Sequence, residues 1–236
     1  LDRLVGRSHE CDCPPSVQSL PACCRPRIDP RAPGDQINRQ VLESLASAGS
    51  VFEIDVDCLA ELQPTIILTQ DQCDVCAVSL SDVQSALATL VGSDVEVVSL
   101  APSTLEEVWQ SILKVGTALD VSGEATRVVE ELRQRLVTLS KTLAEIENTS
   151  RPRVACIEWL DPLMVAGNWV PELVESAGGH DVLGVTGEHS PWISWDTLLA
   201  ADPDRIVVMP CGFDIERTRE ELSSVVDRSE WKSLRA

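Results

Sequence analysis

The chain has little aromatic surface and little positive charge. Its 236 residues include no tyrosine, two phenylalanines and three histidines, and 19 basic residues stand against 38 acidic ones. The formal net charge of −19 argues against nucleic acid or an anionic membrane as a partner. The sequence contains no apolar run of about 18 residues, so we expect no membrane-embedded helix.

The sequence also lacks the short motifs of common enzymes. We find no G-x-S-x-G, Walker loop, G-x-G-x-x-G or H-E-x-x-H pattern. Cys11 or Cys73 could pair with His9 as a nucleophile, but no third orienting group is identifiable. A thiol-dependent enzyme would need one cysteine with a depressed pKa. We therefore expect a protein that is not an enzyme.

What the chain does have is cysteine, in an odd number. The nine cysteines form a C-x-C, an adjacent pair, a C-x-x-C and three single positions. They are Cys11, Cys13, Cys23, Cys24, Cys73, Cys76, Cys58, Cys156 and Cys211. This is not the framework of a small disulfide-bonded domain. An intracellular reducing compartment is the simpler interpretation and is favoured over the periplasm, although no targeting signal is readable.

One stretch occurs twice with identical spacing. Asp57-Cys-Leu-(x4)-Pro64 with Ile67 matches Asp196-Thr-Leu-(x4)-Pro203 with Ile206. Each copy predicts a short helix, a proline-bearing turn and a buried strand, at residues 65–69 and 204–209. A polar cysteine-bearing loop follows each strand, and ligands of open α/β sheets bind beyond the carboxyl ends of strands. Chance similarity of two common units remains the alternative.

Other segments follow from periodicity and from helix-ending residues. We predict a strand ending in a loop at residues 3–9, irregular structure at 21–35, and helices at 36–48, 81–91, 170–177 and 214–226. Ser103 should cap a helix reaching Leu119, and strands should cover residues 95–100 and 153–159. The longest predicted helix begins after Gly123 and carries one apolar stripe from Ala125 to Ile146 over roughly 35 Å. Such a helix could join two lobes, and a coiled-coil seam is the competing interpretation.

Five segments resemble a known family. They are GRSHECD at residues 6–12, QDQCDVCAVS at 70–79, EWLDPLMVAGNW at 158–169, HSPW at 189–192 and VMPCGFD at 208–214. The chain resembles the cobalamin-binding-protein-like branch of the class III periplasmic binding proteins, the iron-siderophore and vitamin B12 type solute-binding proteins of ABC importers. The resemblance covers essentially the whole chain.

The resemblance implies an α/β fold with two Rossmann-like lobes joined by one long rigid interlobe helix. We expect an N-terminal lobe at residues 1–120, the interlobe helix at 121–149 and an incomplete C-terminal lobe at 150–236. Compared with the family, the chain looks trimmed at both ends. The implied partners are a small macrocyclic ligand and an ABC transporter permease, and we expect a monomer.

The leading hypothesis is a non-catalytic protein that holds a corrinoid or similar macrocycle between two lobes, with cobalamin as ligand rather than as a required cofactor. Tryptophans near strand-end loops would offer flat apolar walls to such a ligand, and polar groups would contact its edge. Trp159, Trp169, Trp192 and Trp195 lie in or beside these loops, whereas Trp109 lies at a helical core position. The expected ligand-binding residues are Ser8, His9, Glu10, Gln70, Asp71, Asp74, Glu158, Trp159, Trp169, His189, Trp192, Cys211 and Gly212.

The alternative hypothesis is an intracellular metal-binding protein. Imidazole and thiolate groups suit zinc and other thiophilic ions. The residues would be His9, Cys11, Cys73, Cys76 and His189. Simple packing in the loops or the core competes with a binding role for each of these residues, and His180 is expected at the surface.

Overall fold

The protein is described here by a computed structural model that covers residues 2–72, 75, 78–89, 95–144 and 151–236. The chain separates into two compact units, Leu1–Ala101 (unit 1) and Pro102–Ala236 (unit 2). The predicted division at residue 120, and the role of the long helix between lobes, stay predictions. Within the described ranges, no helix is long and apolar enough to span a membrane.

Unit 1 combines short helices with two pairs of strands. Its elements, in chain order, are a 3-10 helix at Pro15–Ser19, β1 (Cys24–Pro26), α1 (Gly34–Ala48), β2 (Phe52–Ile54), α2 (Val56–Leu62), β3 (Ile66–Gln70), α3 (Leu80–Thr89) and β4 (Glu96–Leu100). β1 pairs antiparallel with β2, and β3 pairs parallel with β4. Gly49 ends α1 in the left-handed region, where glycine carries no Cβ penalty.

Three expectations for unit 1 are wrong. The segment 21–35 is not wholly irregular, because Cys24–Pro26 forms β1 against β2. Residues 3–9 contain no strand; Arg7 makes only an isolated bridge to Ala22. β3 is half-exposed rather than buried, since β4 is its one described neighbour and Leu68 is 44% exposed.

Unit 2 begins with two packed helices. Its elements are α4 (Leu105–Ala118), α5 (Ser122–Ala144), β5 (Arg153–Leu160), β6 (Leu163–Val165), α6 (Val170–Ser176), β7 (His180–Asp181), α7 (Trp195–Ala201), β8 (Arg205–Val208), α8 (Ile215–Ser223) and α9 (Ser229–Lys232). Thr104, not Ser103, caps α4, because its side chain and that of Glu107 form a reciprocal capping box.

The long helix α5 packs inside its own unit. Ala125 and Val129 of the predicted stripe are buried, and Gly116 of α4 lies so close that a Cβ there would be 2.3 Å from the Ala125 Cβ. Arg133 of α5 also forms an ion pair with Glu106 of α4. These contacts favour packing within the chain over a coiled-coil seam for this part of the stripe.

The sheet of unit 2 is built around β5. β6 pairs antiparallel and β7 parallel with β5, and β8 pairs parallel with it. The core on one face of the sheet consists of Ala155, Ile157, Leu160, Leu163, Val165, Leu198 and Val225. The sequence did not predict β6 or β7, because each is only two or three residues long.

The repeated segment folds into the same local structure twice. α2 and α7 each begin at a side-chain cap, Asp55 or Ser194, that accepts a hydrogen bond from the backbone three residues on. Each helix ends at a left-handed residue, Gln63 (φ 46°) or Asp202 (φ 43°), directly before the proline. β3 and β8 follow as strands at the predicted places, but β8, like β3, is half-exposed rather than buried, since Val207 is 46% exposed. The observed α/β class agrees with the sequence-based expectation.

Candidate functional site

The carboxyl end of β5 carries a β-bulge that changes which side chains face the core. Ile157 pairs with Val165 and Leu160 with Leu163, and all four belong to the core. Between them Trp159 pairs with Met164, with the register shifted between Ile157 and Trp159. Because neighbouring strand residues face opposite sides, the bulge turns Trp159 and Met164 away from this core.

A row of apolar side chains therefore crosses the outer face of the sheet end. Trp192 forms an antiparallel bridge with Met164 on one side of Trp159, and the Phe213 ring lies 5.3 Å from the Trp159 ring on the other side. We call Phe213, Trp159, Met164 and Trp192 the apolar row. Trp192 is 56% exposed, which is unusual for so large an apolar side chain.

One end of the apolar row is supported by a cation. The Arg217 guanidinium lies 4.5 Å from the centre of the Phe213 ring, within the range of a cation–π interaction. Arg217 also forms an ion pair with Glu221 one helical turn later. The positive charge is therefore compensated, while the Phe213 ring is held against Trp159.

The loop that carries Trp192 is fixed by backbone contacts. Asn168 donates to the Glu188 carbonyl at 2.6 Å, and Ile193 donates to the Leu163 carbonyl at 2.9 Å. A Cβ on Gly167 would lie 2.4 Å from the Glu188 carbonyl oxygen, so only glycine admits the loop this closely. The loop is thus anchored at both of its ends.

Ser190 links this loop to β5. Its buried hydroxyl accepts a hydrogen bond from Gly167 N at 3.0 Å and donates to the Glu158 carboxylate at 2.5 Å. A charge-assisted bond of this kind is stronger than a neutral one and fixes both partners. Glu158, predicted as a ligand contact, therefore also holds the loop in position.

The other predicted residues of unit 2 lie around this region. Trp169 is the half-buried residue before α6, and His189 is exposed, with Nδ1 donating to the Ser190 carbonyl at 3.1 Å. Cys211 and Gly212 are exposed in the loop between β8 and Phe213. Trp195 lies beside the loop as the first residue of α7, but it packs on the core and makes an edge contact with Trp231 at 6.2 Å.

Two further side chains of unit 2 bear on the hypotheses. His180 is exposed and its Nδ1 lies 3.0 Å from Glu175, as expected of a surface histidine. Cys156 is buried; burial first, and then the negative charges of Asp181 and Glu158, raise the pKa of its thiol to about 11. Cys156 therefore stays protonated at neutral pH and is a poor nucleophile.

In unit 1 the predicted residues at 8–10 lie in a tight loop organised by Arg7. The Arg7 guanidinium donates to the carbonyl oxygens of Ser8 and His9, both at 3.0 Å. The Ser8 hydroxyl accepts from Glu10 N at 3.1 Å. These bonds satisfy the loop within itself, and a role in ligand contact stays a prediction for Ser8 and Glu10.

His9 is packed inside the unit. Its ring centre lies 5.4 Å from that of Phe52, and Nδ1 lies 3.3 Å from the sulfur of buried Cys24. Nε2 lies 3.1 Å from a Glu10 oxygen without forming a hydrogen bond to it. The packing interpretation thus accounts for the observed contacts of His9, and ligand binding by it stays a prediction.

The strand-end loop after β3 is described only in part. Gln70 and Asp71 are exposed; Gln70 lies 3.4 Å from the Gln72 side chain, and an Asp71 oxygen accepts from Leu80 N at 3.3 Å. Asp74, Cys73 and Cys76 lie outside the described residues. Their predicted roles stay predictions.

One protein-family profile matches most of the chain. The sequence profile described as periplasmic binding protein matches residues 26–236.

The chain belongs to the periplasmic binding protein family.

Solved structures of other periplasmic binding proteins share its fold. A heme-binding protein from Pseudomonas aeruginosa is 21% identical, with a TM-score of 0.68 over 99% of this chain and 72% of that one. S. aureus IsdE, complexed with heme, is 20% identical, with a TM-score of 0.61 over 78% and 68%. The vitamin B12 binding protein BtuF of Vibrio cholerae is 17% identical, with a TM-score of 0.60 over 100% and 76%.

This chain covers only part of the length of the similar solved structures. The chain spans 62–77% of the length of the solved structures it resembles. A comparison with curated protein sequences gives no significant match. The predicted family is confirmed, and its periplasmic name does not favour the intracellular compartment inferred from the cysteines.

The metal hypothesis gains no support from the part of the chain that the structure describes. There, no group of three or more histidine, cysteine, aspartate or glutamate side chains is arranged to hold a metal ion. Of the five proposed ligands, Cys73 and Cys76 lie outside the described residues, while Cys11 is an exposed free thiol. His9 instead faces Phe52 and Cys24.

Three side chains of the candidate site were not predicted from the sequence. Met164, Ser190 and Phe213 lie within the segments that carry the family resemblance, at 158–169, 189–192 and 208–214. The sequence around 160–165 carried a usable signal, since Asp161-Pro162 between two short apolar runs favours a turn. The serine and the phenylalanine carried no such signal, because their roles arise from contacts distant in sequence.

Proposed function

We propose that the chain is a non-catalytic ligand-binding protein of the ABC-importer type, and that its ligand is a flat macrocycle such as a corrinoid. The apolar row carries this proposal. It is a set of apolar side chains turned out of the core at a strand's carboxyl end, where α/β proteins bind ligands. A planar ring system matches such a surface because it buries apolar area on a rigid face.

The support around the apolar row suits a site formed in advance of binding. Ser190 ties the loop of Trp192 to Glu158, and Phe213 is held between Trp159 and Arg217. Side chains that are already ordered lose less entropy when a ligand arrives. The row would thus add binding free energy without a large ordering cost.

Charge favours an amide-rimmed macrocycle over one with carboxylates. Glu158 directly precedes Trp159, and the Arg217 charge at the other end is paired with Glu221. Carboxylates on the ligand edge would be repelled by the Glu158 carboxylate, with little positive charge left to offset the repulsion. Amide groups on the ligand edge can instead donate hydrogen bonds to Glu158. Similar proteins are named as heme-binding and as vitamin B12 binding, and this argument favours the second kind of ligand.

The test is a titration of the full chain with cobalamin and, in parallel, with heme, followed by tryptophan fluorescence and calorimetry. We expect saturable one-to-one quenching by cobalamin. Trp192→Ala should weaken binding by about 30-fold, since truncating a central aromatic anchor costs about 2 kcal/mol or more. Trp109→Phe, in α4, is the matched control and should leave the affinity unchanged.

Two results would contradict the proposal. One is cobalamin binding that is unchanged in both Trp192→Ala and Trp159→Ala, which would remove the apolar row from the site. The other is no binding of either macrocycle. Tight binding of heme alone would keep the macrocycle but overturn the charge argument.

The remaining predicted contacts and partners belong to the same proposal. Trp169, His189, Cys211 and Gly212 would line the ligand beside the apolar row. A role in ligand contact stays a prediction for Ser8, His9, Glu10, Gln70, Asp71 and Asp74. A permease of the ABC type would receive the ligand. The compartment follows from that partner, which is why the family assignment weighs against an intracellular location.

A further inference from the structure

Two cysteines that the ligand-binding proposal does not use lie side by side in unit 1. Cys23 directly precedes β1, and Cys58 lies in the first turn of α2. Their sulfur atoms are 3.9 Å apart although the residues are 35 positions apart in the chain. Both side chains are half-buried free thiols.

The backbone fixes these two residues relative to each other. The carbonyl of Cys23 accepts a hydrogen bond from Asp55 N at 2.9 Å, and the Asp55 side chain accepts one from Cys58 N at 2.9 Å. Cys23 N in turn donates to the Arg7 carbonyl at 2.8 Å. A disulfide needs its sulfur atoms about 2 Å apart, so rotation about side-chain bonds could close the remaining gap.

We propose that Cys23 and Cys58 form a reversible intramolecular disulfide, with a small-molecule disulfide such as glutathione disulfide as the oxidant. Cys58 loses its proton and attacks one sulfur of the oxidant, which releases one glutathione thiolate. Cys23 then loses its proton and attacks the Cys58 sulfur, which releases the second thiolate. The two protein thiols are oxidised, and one glutathione disulfide is reduced to two glutathiones.

The environment of Cys23 assigns it to the second step. Burial, together with the neighbouring Cys58, raises the pKa of Cys23 to about 11. The thiolate is the attacking species. At pH values below the pKa of Cys23, each increase of one pH unit raises the thiolate population of Cys23 about tenfold. Closure of the bridge should therefore be slow at pH 7 and faster at pH 9.

The neighbouring Cys24 does not compete for Cys58. It is 7% exposed, lies in β1 and contacts His9 through its sulfur. Consecutive residues of an extended chain point to opposite sides, so Cys24 faces away from Cys23. The geometry therefore favours a bridge between Cys58 and Cys23 over one between Cys58 and Cys24.

The experiment incubates the reduced full chain with glutathione disulfide at pH 7, 8 and 9 and maps cysteine linkages by mass spectrometry without reduction. We expect a Cys23–Cys58 linkage whose rate of formation rises about tenfold per pH unit. The bridge closes a long loop, so the midpoint of thermal unfolding should rise by on the order of 5–10 °C and return on reduction. Cys58→Ser should abolish the linkage and the shift, and Cys13→Ser, a change at an exposed cysteine, should preserve both.

Recovery of Cys23 and Cys58 unlinked at pH 9, as thiols or as separate glutathione adducts, would overturn the proposal. A linkage from Cys58 to any other cysteine would do the same. A linkage formed at a rate independent of pH would contradict thiolate attack as the rate-limiting step. Because cobalamin plays no part in these measurements, their outcome is separate from that of the ligand titration.

Discussion

The two copies of the helix–turn–strand segment share one backbone geometry and meet different surroundings. In both, a side-chain cap starts the helix and a left-handed residue before proline ends it. The first copy leads into β3, where Leu68 is 44% exposed. The second leads into β8, where Val207 is 46% exposed in the same way, but β8 pairs with the buried centre of β5. Spacing in the sequence therefore sets the local path of the chain, while neighbouring elements decide what that path buries.

The largest expected difference between the copies is in their buried leucines. Leu198→Ala should lower the free energy of unfolding by about 4 kcal/mol, and Leu59→Ala by about 2 to 3 kcal/mol. Leu198 is fully buried in the core of unit 2, whereas Leu59 is 7% exposed and its site can relax more easily. Hydrogen exchange followed by mass spectrometry would measure the loss in each unit. Equal losses would show that the surroundings matter less than we infer.

The helix caps should instead behave alike. Asp55→Ala and Ser194→Ala each remove the acceptor for a helix-start backbone N–H, so each should cost about 1 kcal/mol. Asp55→Asn and Ser194→Asn keep an acceptor and serve as matched controls. The measurement is urea unfolding followed by circular dichroism. A loss confined to one copy would break the geometric equivalence.

The smallest expected effect is at the left-handed residues. Gln63→Gly should stabilise the chain by about 0.5 kcal/mol, because glycine adopts positive φ without steric cost. Asp202→Gly should gain less, since Asp202 also binds Arg235 at 2.8 Å. Thermal unfolding would measure both changes. In an Arg235→Ala background the two substitutions should become equal, and a persistent difference would contradict this explanation.

Local structure was predictable wherever the sequence carries its own signal. The helix at 36–48 with Gly49 after it, and both copies of the repeat, were expected from periodicity and from helix-ending residues, and the structure has them. The α/β class followed from the same patterns. Strand β1 was not predicted because the prolines around it indicate irregular structure. The strand is only three residues long and forms by pairing with β2, which the local sequence does not reveal.

The candidate site was predictable only as a region. Tryptophans near strand ends directed attention to Trp159 and Trp192, and these two belong to the apolar row. The same rule included Trp195, which lies beside a loop but packs onto the core, because position along the chain does not reveal which side a residue faces. Ser190 and Phe213 depend on contacts with residues far away in sequence, and no local pattern encodes those.

The bulge at the end of β5 makes strand register, not residue identity, the determinant of what this strand displays. One additional residue lets Ile157 and Leu160 both serve the core while Trp159 is displayed outward. Deleting Glu158 would remove the additional residue and leave Ile157 and Leu160 two positions apart, so simple alternation would still place the leucine inward and the tryptophan outward. The unchanged sequence in a strand without the bulge would instead turn Trp159 inward and Leu160 outward, which would exchange interior and exterior at the site.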